Sequence, residues 1–498
     1  MNKKLHILQV NAADSGGGAA KVAHDLFKAY NVLGHESWLA VGKKYTHDSN
    51  VIQIPNEQAY SSWEKVNFGL ANTCNNFVGK IKGAGRLAQI FKNTGRYKNY
   101  RDYLTGTEPF DYPGSRKLLE LISEKPDIIH MHNLHSKYFD LRMLPELSSR
   151  VPVVMTLHDT WLLSGHCAYA KTCKKWKTGC GGCPDLTLYP AVRKDNTAYN
   201  WQQKKKIYEK SRLYIATPCQ WLMNNVKKSM LYKPDIPTKV INNGVDLTIF
   251  KPGDKQKARE ILGLAPDVKI LLFAANSVKT NIWKDYATLK KAVGRLSILL
   301  PDKKFLFICV GDSGVPEKTG NTEIIFVPYQ HSSSFMVNYY QAADVYIHAA
   351  HADTFPNVIL ESLACGTPVV ATAVDGVPEQ VKSLRPDREL IIEEESVTPV
   401  FYDQDQATGM LVSRGDHESM AQALAKLFTH EFLLEKLSHN AFVDSRMRFD
   451  QKRQVSEYLA WYDELMQDRA FFKTDNINLG FNTLTLPGSP IKPGMTQE

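Results

Sequence analysis

The sequence predicts an α/β protein with two domains, each built on a doubly wound parallel sheet. Short apolar or β-branched runs alternate with stretches of helical periodicity, which is typical of βα units. One segment rich in Pro, Asn, Gly and Asp, at 234–253, interrupts the series and is typical of a linker. We predict a first domain over 1–240, a second over 241–450, a helix over 451–470 that returns to the first domain, and an irregular tail over 471–498.

Composition places the chain among globular proteins. Of its 498 residues, 43% are apolar and 23% are charged. No apolar run approaches the ~18 residues that a membrane-spanning helix needs. Residues Met1 to Val10 lack the apolar region and cleavage site of a signal peptide, so we interpret them as a first strand and expect a cytoplasmic protein.

The net charge of +9 is concentrated in one stretch. Eight basic residues lie between 65 and 103, against a single acid, Asp102. Apolar residues between Phe77 and Phe91 recur at helical spacing, which predicts either a basic amphipathic helix on an anionic membrane or a helix packed on the first domain. We expect no nucleic-acid partner, because no binding motif accompanies the charge.

A glycine loop follows the first predicted strand, Leu5 to Val10. It consists of Gly16, Gly17 and Gly18, and a helical pattern begins directly after it. Glycines let a backbone approach a diphosphate closely, and the following helix dipole favours the negative charge. The loop matches neither the dinucleotide fingerprint nor the P-loop, and without its context a plain turn is the commoner explanation.

Two acids eight positions apart form the strongest signal in the second domain. Asp353 precedes a helix predicted over Asn357 to Ala364, and Glu361 lies inside it, followed by the small-residue turn Ala-Cys-Gly-Thr-Pro. Backbone N–H groups converge at the start of such a helix, which suits an anion or a polar ligand.

On these residues the chain resembles glycosyltransferase family 4, the large retaining family with the GT-B fold. The resemblance implies two Rossmann-like domains facing each other across a cleft, which binds a UDP- or GDP-linked sugar. It implies that Glu361 holds the donor ribose, that Asp353 lies beside the reacting carbon of the sugar, and that the amides around Phe355 and Asn357 hold sugar hydroxyls. The family usually has Glu at the position of Asp353.

Three further residues extend the resemblance. Lys279 and Lys284 stand where the family has an Arg and a Lys that neutralise the leaving diphosphate. His158 ends a predicted strand, where ligands bind in open α/β sheets, and the family has a donor-contacting histidine there. A solvated helix face would explain either lysine alone, and a structural role would explain a lone histidine.

Four of the eight cysteines lie within 17 residues: Cys167, Cys173, Cys180 and Cys183. The close Cys180–Cys183 pair has the short spacing of zinc sites, so we predict a structural zinc ion. Free thiols or disulfides are the alternative, and an iron–sulfur cluster lacks its signature spacing.

The resemblance implies retaining transfer without a catalytic metal. The sequence Asp403-Gln-Asp405 formally matches a metal-binding DxD, but we interpret it as a solvated loop. The predicted acceptor is a glycan or lipid-linked hydroxyl in polysaccharide biosynthesis. Two other interpretations stay open here: a non-catalytic sugar-nucleotide-binding or scaffold homologue, and a sugar-nucleotide epimerase with the same fold.

Overall fold

The computed structural model describes residues 4–392 and 397–467. The predictions for Met1 to Lys3, for the end of the last helix at 468–470 and for the tail at 471–498 lie outside the described residues.

The first sheet is parallel throughout and has the strand order β3-β2-β1-β4-β5-β6-β7. Its strands are β1 (His6–Ala13), β2 (Glu36–Lys43), β3 (Val51–Gln53), β4 (Ile128–Met131), β5 (Val153–Thr156), β6 (Leu213–Thr217) and β7 (Thr238–Val240). The strand order reverses between β1 and β4. Doubly wound sheets bind ligands in the crevice that opens at such a point.

Seven α-helices accompany this sheet within the described residues. They are α1 (Gly18–Val32), α2 (Ser62–Asn75), α3 (Ala84–Gly95), α4 (Tyr97–Thr105), α5 (Leu144–Arg150), α6 (Thr197–Glu209) and α7 (Gln220–Lys227).

The second sheet has the strand order β10-β11-β9-β8-β12-β13-β16-β14-β15, and only the β10–β11 pair is antiparallel among the described strands. Its strands are β8 (Lys269–Ala274), β9 (Phe305–Val310), β10 (Glu317–Thr319), β11 (Thr322–Val327), β12 (Val345–His348), β13 (Val369–Thr372), β14 (Ser383–Leu384), β15 (Phe401–Tyr402) and β16 (Gly409–Val412). Its helices are α8 (Lys255–Ile261), α9 (Tyr286–Leu299), α10 (Ser333–Ala342), α11 (Asn357–Ala364), α12 (Val377–Gln380), α13 (His417–Thr429) and α14 (Glu431–Arg448).

Helix α15 (Gln451–Gln467) follows the second sheet in the chain but packs on the first. Its apolar face is buried with Ile7 and Ile128 of the first sheet and with Leu26 of α1. The helix therefore ties the end of the chain to the domain in which the chain begins.

The predicted class is confirmed, with two parallel-sheet α/β domains. The predicted helix between Phe77 and Phe91 is wrong as one element, because a turn follows α2 and α3 begins only at Ala84. Gly79 and Gly83 cause the break, since both have positive φ angles (86° and 93°) that a right-handed helix does not allow.

Candidate functional site

A cavity of about 360 Å³ lies between the two domains, at the carboxyl ends of strands from both sheets. Residues from both halves of the chain line it, as expected for a ligand site at the switch point of an α/β sheet. Six of the predicted site residues are among them: Gly18, His158, Lys284, Asp353, Phe355 and Asn357.

Asp353 is the most constrained of these residues. Its carboxylate forms an ion pair with Lys284, and its Oδ2 lies 3.1 Å from Nε2 of the fully buried His348. Burial alone would raise the pKa of Asp353, but Lys284 and His348 together lower it to about 2. The acid is therefore ionised at neutral pH and fixed beside a cation in the cavity wall.

The start of α11 joins the two domains. Asn357 Nδ2 donates to the Gly18 carbonyl at 3.4 Å, and Asn243 Nδ2 donates to Asn357 Oδ1 at 3.0 Å. Phe355 precedes the helix, is 5% exposed, and packs edge-on against Phe449 with ring centroids 6.1 Å apart. The glycine loop and the α11 N-terminus thus face the same space.

Glu361 lies one turn into α11 on the side of Asn357 and is buried. It accepts a hydrogen bond from the Tyr340 hydroxyl at 2.8 Å. Burial raises its pKa, although the nearby Lys21 opposes this shift. Glu361 does not line the cavity, so its predicted role toward the donor ribose stays a prediction.

Lys279 and Lys284 have different surroundings. Lys279 Nζ lies 2.9 Å from Glu317 Oε1 and 3.7 Å from the ring centroid of Phe326, and it does not line the cavity. Lys284 lines the cavity and pairs with Asp353. Of the two, Lys284 is the one that can contact a ligand in this cavity.

Gly16 and Gly17 lie outside the cavity lining and shape the turn that leads to Gly18. Their φ angles are 86° and 128°, in the region that L side chains rarely adopt. The turn brings the first amides of α1 toward α11, an arrangement that favours an anion.

His158 belongs to a buried chain of polar side chains. Its Nε2 lies 3.1 Å from Nδ1 of His132, and Nε2 of His132 lies 3.1 Å from the amide group of Gln9. The Gln9 amide is oriented so that its oxygen accepts a hydrogen bond from the Phe27 N–H at 2.8 Å and its NH₂ group donates to His132 Nε2. Because Nε2 of His132 accepts, the proton of this histidine is on Nδ1, which donates to Nε2 of His158. The proton of His158 is therefore on its own Nδ1.

These histidines are neutral at physiological pH. Burial lowers the pKa of His158 to about 4 and that of His130 to about 3, and it lowers that of His132 well below its usual value. His130 does not line the cavity. Its ring nitrogens form hydrogen bonds with Thr156 Oγ1 and the Tyr462 hydroxyl, each at 2.7 Å. His130 therefore connects strand β4 to α15.

The four clustered cysteines are free thiols. Within 4–392 and 397–467, no group of three or more His, Cys, Asp or Glu side chains is placed so that it could hold a metal ion. Cys183 Sγ lies 3.4 Å from His166 Nε2, and Cys180 Sγ accepts from the Gly165 N–H at 3.3 Å. Burial raises the pKa of Cys167 to about 12 and that of Cys180 to about 11.

The segment Asp403 to Asp405 is an exposed turn. Asp403 accepts a hydrogen bond from the Asp405 N–H at 2.9 Å, and Asp405 forms an ion pair with Lys436. This geometry agrees with a solvated loop.

The fold brings to the site further residues that were not predicted from the sequence. His348 contacts Asp353, and Lys21 lies near Glu361 across the domain boundary. His135 and Asp159 line the cavity as a pair, with His135 Nε2 2.8 Å from Asp159 Oδ2. A signal was available for His348 and Asp159, since both lie at or just after the end of a strand in the sheet centre.

The fold defines a two-domain GT-B protein, with a cavity between its domains. Residues 82–249 match the family model described as Glycosyltransferase Family 4, and residues 268–430 match that described as Glycosyl transferases group 1. Together the two models cover more than half of the chain, which belongs to this family of glycosyltransferases.

Curated relatives match part of the chain. It is 28% identical over 266 residues to the putative colanic acid biosynthesis glycosyl transferase WcaC of Escherichia coli K12, and 31% identical over 253 residues to the D-inositol 3-phosphate glycosyltransferase of Actinosynnema mirum. These matches cover 51% and 47% of the chain, and 62% and 54% of the respective relatives.

Among solved structures, HepE of Anabaena in complex with UDP has a TM-score of 0.56 and 15% identity. The match covers 92% of this chain and all of HepE. HepE is also known in complex with UDP-glucose. At this identity the likeness shows the shared fold.

Proposed function

We propose that the protein is a retaining, metal-independent hexosyltransferase that uses a nucleoside diphosphate sugar in polysaccharide biosynthesis. The acceptor is a hydroxyl of a glycan or lipid-linked molecule. The observation that carries the proposal is the meeting of Lys284, Asp353 and His158 in one cavity between the domains. Relatives named for glycosyl transfer, and the HepE complexes with UDP and UDP-glucose, support a nucleotide-sugar donor.

The proposed reaction is an exchange at the anomeric carbon of the donor sugar. The bond from this carbon to the diphosphate oxygen breaks, and a bond to the acceptor oxygen forms on the same face. The acceptor hydroxyl proton moves to the departing diphosphate, so no protein nucleophile is needed. The protein contributes positioning and charge stabilisation.

Each cavity residue has a defined part in this scheme. Lys284 stabilises the negative charge that develops on the diphosphate, and the α1 and α11 N-termini add amide donors. Asp353, held ionised by Lys284 and His348, stabilises positive charge on the sugar ring. His158 donates from Nδ1 to a sugar oxygen.

Thermal unfolding with a panel of UDP- and GDP-sugars tests the donor assignment. A donor present at about 100 times its Kd raises the free energy of unfolding by ~2.7 kcal/mol. The nucleotide sugar that most stabilises the folded protein is then used as the donor in transfer and hydrolysis assays of the wild type and two variants. We expect Asp353→Asn to lose most of its turnover and Asp353→Glu to retain it. Stabilisation without any turnover in the wild type would instead indicate a non-catalytic binding protein.

We further propose that α2, α3 and the turn between them associate peripherally with an anionic membrane, such as the inner face of a cell membrane. This basic helical surface carries Lys80, Lys82 and Arg86. Its apolar side chains are unusually exposed: Trp63, Val66, Leu70, Phe77, Ile81, Leu87 and Ile90. Exposed apolar groups beside cations suit a membrane interface. Among the described residues, no helix is both long and apolar enough to cross a bilayer.

The structural zinc ion also remains a proposal. Ionisation of Cys180 or Cys183 would raise the pKa of Cys167, and ionisation of Cys173 would raise that of Cys180 and Cys183, so the four thiols lie in one region. Zinc binding would require them to turn toward a common point and to ionise. Elemental analysis of protein purified without added metal decides between about one zinc per chain and none.

A further inference from the structure

A second cavity, of about 620 Å³, lies within the first domain and is larger than the cleft cavity. Helices α3 and α4 form one wall, and the segments at 106–112, 134–139 and 190–193 form the others. His135 lines both cavities, so the two spaces meet at this side chain.

The charge of the second cavity is strongly unbalanced. Lys92, Arg96, Lys137 and Arg193 line it, and Glu108 is its one acidic lining residue among the described parts of the chain. Glu108 is already neutralised, because the fully buried Lys204 lies 2.8 Å from its Oε2 and Trp161 Nε1 donates to its Oε1 at 2.6 Å. The cavity is therefore positive.

Three of these cations, Lys92, Lys137 and Arg193, lack a carboxylate partner in the described structure. Neither Lys92 nor Lys137 has an ion pair within 4–392 and 397–467. Arg96, in contrast, donates to the Asp111 carbonyl and lies 3.7 Å from Glu64.

Arg193 packs over the Tyr103 ring, 5.7 Å from its centroid, and has no carboxylate partner in the described chain. Such groups favour an anionic ligand.

Aromatic side chains form a large part of the remaining lining. The aromatic lining residues are Tyr100, Tyr103, Phe110, Tyr112, Phe139 and Trp161. A pocket with apolar walls and a few polar groups orients a medium-sized organic ligand. Flat rings beside cations suit a sugar chain that carries a negative group.

The junction between the two cavities is built from polar groups. His135 Nε2 lies 2.8 Å from Asp159 Oδ2, and His135 Nδ1 lies 3.0 Å from Ser136 Oγ, which lies 3.1 Å from the Tyr189 hydroxyl. Ser136 and Lys137 have φ angles of 82° and 62°, so the loop holds two successive residues in an unfavourable backbone region. Such strain is found where the position of a side chain matters.

We propose that the second cavity binds the acceptor, and that the acceptor is a glycan carrying a carboxylate or phosphate group. Lys92, Lys137 and Arg193 pair with the anionic group, the aromatic side chains contact the sugar rings, and the reacting hydroxyl lies beside His135 at the junction. This inference rests on the proposed transferase function and adds the substrate class. The acceptor oxygen gains the bond to the donor sugar, and its proton leaves with the nucleoside diphosphate.

Binding of defined probes tests this proposal. We would titrate the full chain at low salt with tetragalacturonate, with its fully methyl-esterified form, and with pentamannose 6-phosphate. At least one anionic probe should bind 10-fold or more tightly than the neutral ester, and the stronger of the two distinguishes carboxylate from phosphate. The double variant Lys92→Ala/Arg193→Ala should weaken that binding by at least 10-fold.

A matched double variant on the same helical region, Lys98→Ala/Arg101→Ala, removes the same charge from exposed positions outside the cavity lining. Equal loss in both double variants, equal binding of ester and acid, or no binding of either anionic probe would overturn the proposal. UDP affinity is measured in parallel and should be the same in all variants. If the wild type failed to bind UDP, the donor function would fail while the glycan result stood independently.

Discussion

At the scale of single residues, the ion pair between Lys284 and Asp353 determines the charge at the cavity wall. The side chains are only 14% and 17% exposed, so each charge depends on the other for compensation. Lys279 has a different partner, Glu317, at 2.9 Å. The two lysines, for which the resemblance implies the same role, therefore have different surroundings.

We predict that Lys284→Ala lowers transfer by about 100-fold or more, a size typical of losing one charge-stabilising group. It should also destabilise the fold by about 3–5 kcal/mol, because Asp353 is left buried without its cation. Initial rates and urea unfolding measure the two effects. Lys279→Ala is the control, and a loss of rate as large as that of Lys284→Ala would contradict the geometric distinction.

The buried histidines give a second residue-scale prediction. In the folded protein the pKa values of His130 and His158 lie at about 3 and 4, whereas in the unfolded chain they lie near ~6.5. The unfolded state therefore binds more protons below pH ~6.5, and stability falls as pH drops from there toward 3. Each group contributes up to ~1.36 kcal/mol per pH unit.

Urea unfolding of the wild type at pH 7, 6 and 5 measures this slope. His130→Gln should flatten it, while His439→Gln, at an exposed position on α14, should leave it unchanged. An identical slope in all three proteins would mean that His130 is not a source of the acid sensitivity.

At the scale of elements, α15 is held to the first sheet by hydroxyl groups as well as by apolar packing. The Tyr462 hydroxyl lies 2.7 Å from His130 Nδ1 and 3.1 Å from the Tyr30 hydroxyl, and the Tyr458 hydroxyl lies 2.8 Å from Thr156 Oγ1. These groups are buried, so a missing partner leaves a polar atom without water.

We predict that Tyr462→Phe lowers the free energy of unfolding by about 1–3 kcal/mol, the cost of an unsatisfied buried polar group. Tyr97→Phe, at a side chain that is 66% exposed, is the matched control and should change stability little. Chemical unfolding monitored by circular dichroism compares them. Equal stability of both variants would show that the hydroxyl network contributes nothing to the attachment of α15.

The basic helical surface leads to a prediction for vesicle binding. Ile81 lies in the turn between α2 and α3 and is 57% exposed, so Ile81→Glu should place a negative charge in the membrane interface and weaken binding to anionic vesicles at low salt. Ile298→Glu, at a 67% exposed position on α9, is the control. Co-sedimentation across salt concentrations measures both, and wild-type protein that stays in the supernatant at low salt would end the membrane proposal.

At the scale of the whole molecule, the two sheets could be predicted from the sequence. Parallel strands are buried on both faces, so each one is a short run of apolar residues between polar segments. Helix α11 was predicted with the bounds that the structure shows, since apolar periodicity and a preceding proline mark it. The break in the basic stretch was missed, because its apolar spacing continues through two glycines with positive φ. Pairings such as His348 with Asp353 depend on sheet order and loop geometry, which local patterns do not determine.

A carboxylate of the second domain contacts the start of a helix in the first domain. Glu379, on α12 of the second domain, accepts hydrogen bonds from the backbone N–H groups of Gln220 and Trp221 at 2.7 and 2.8 Å. These amides begin α7 of the first domain, where the helix dipole favours a negative charge. Burial raises the pKa of Glu379, because it disfavours the ionised carboxylate. The two hydrogen bonds lower the pKa and offset part of this cost.

We predict that Glu379→Ala loosens the contact between the domains and reduces transfer, because the cavity is formed by residues from both domains. The free amides of α7 would be left without the carboxylate, so the variant should have a larger radius of gyration by small-angle X-ray scattering and a weaker affinity for UDP. Glu435→Ala, at an exposed position on α14, is the control and should match the wild type in both measurements. Unchanged scattering and UDP affinity in Glu379→Ala would show that the other interdomain contacts, such as Asn243 with Asn357, suffice to hold the domains together.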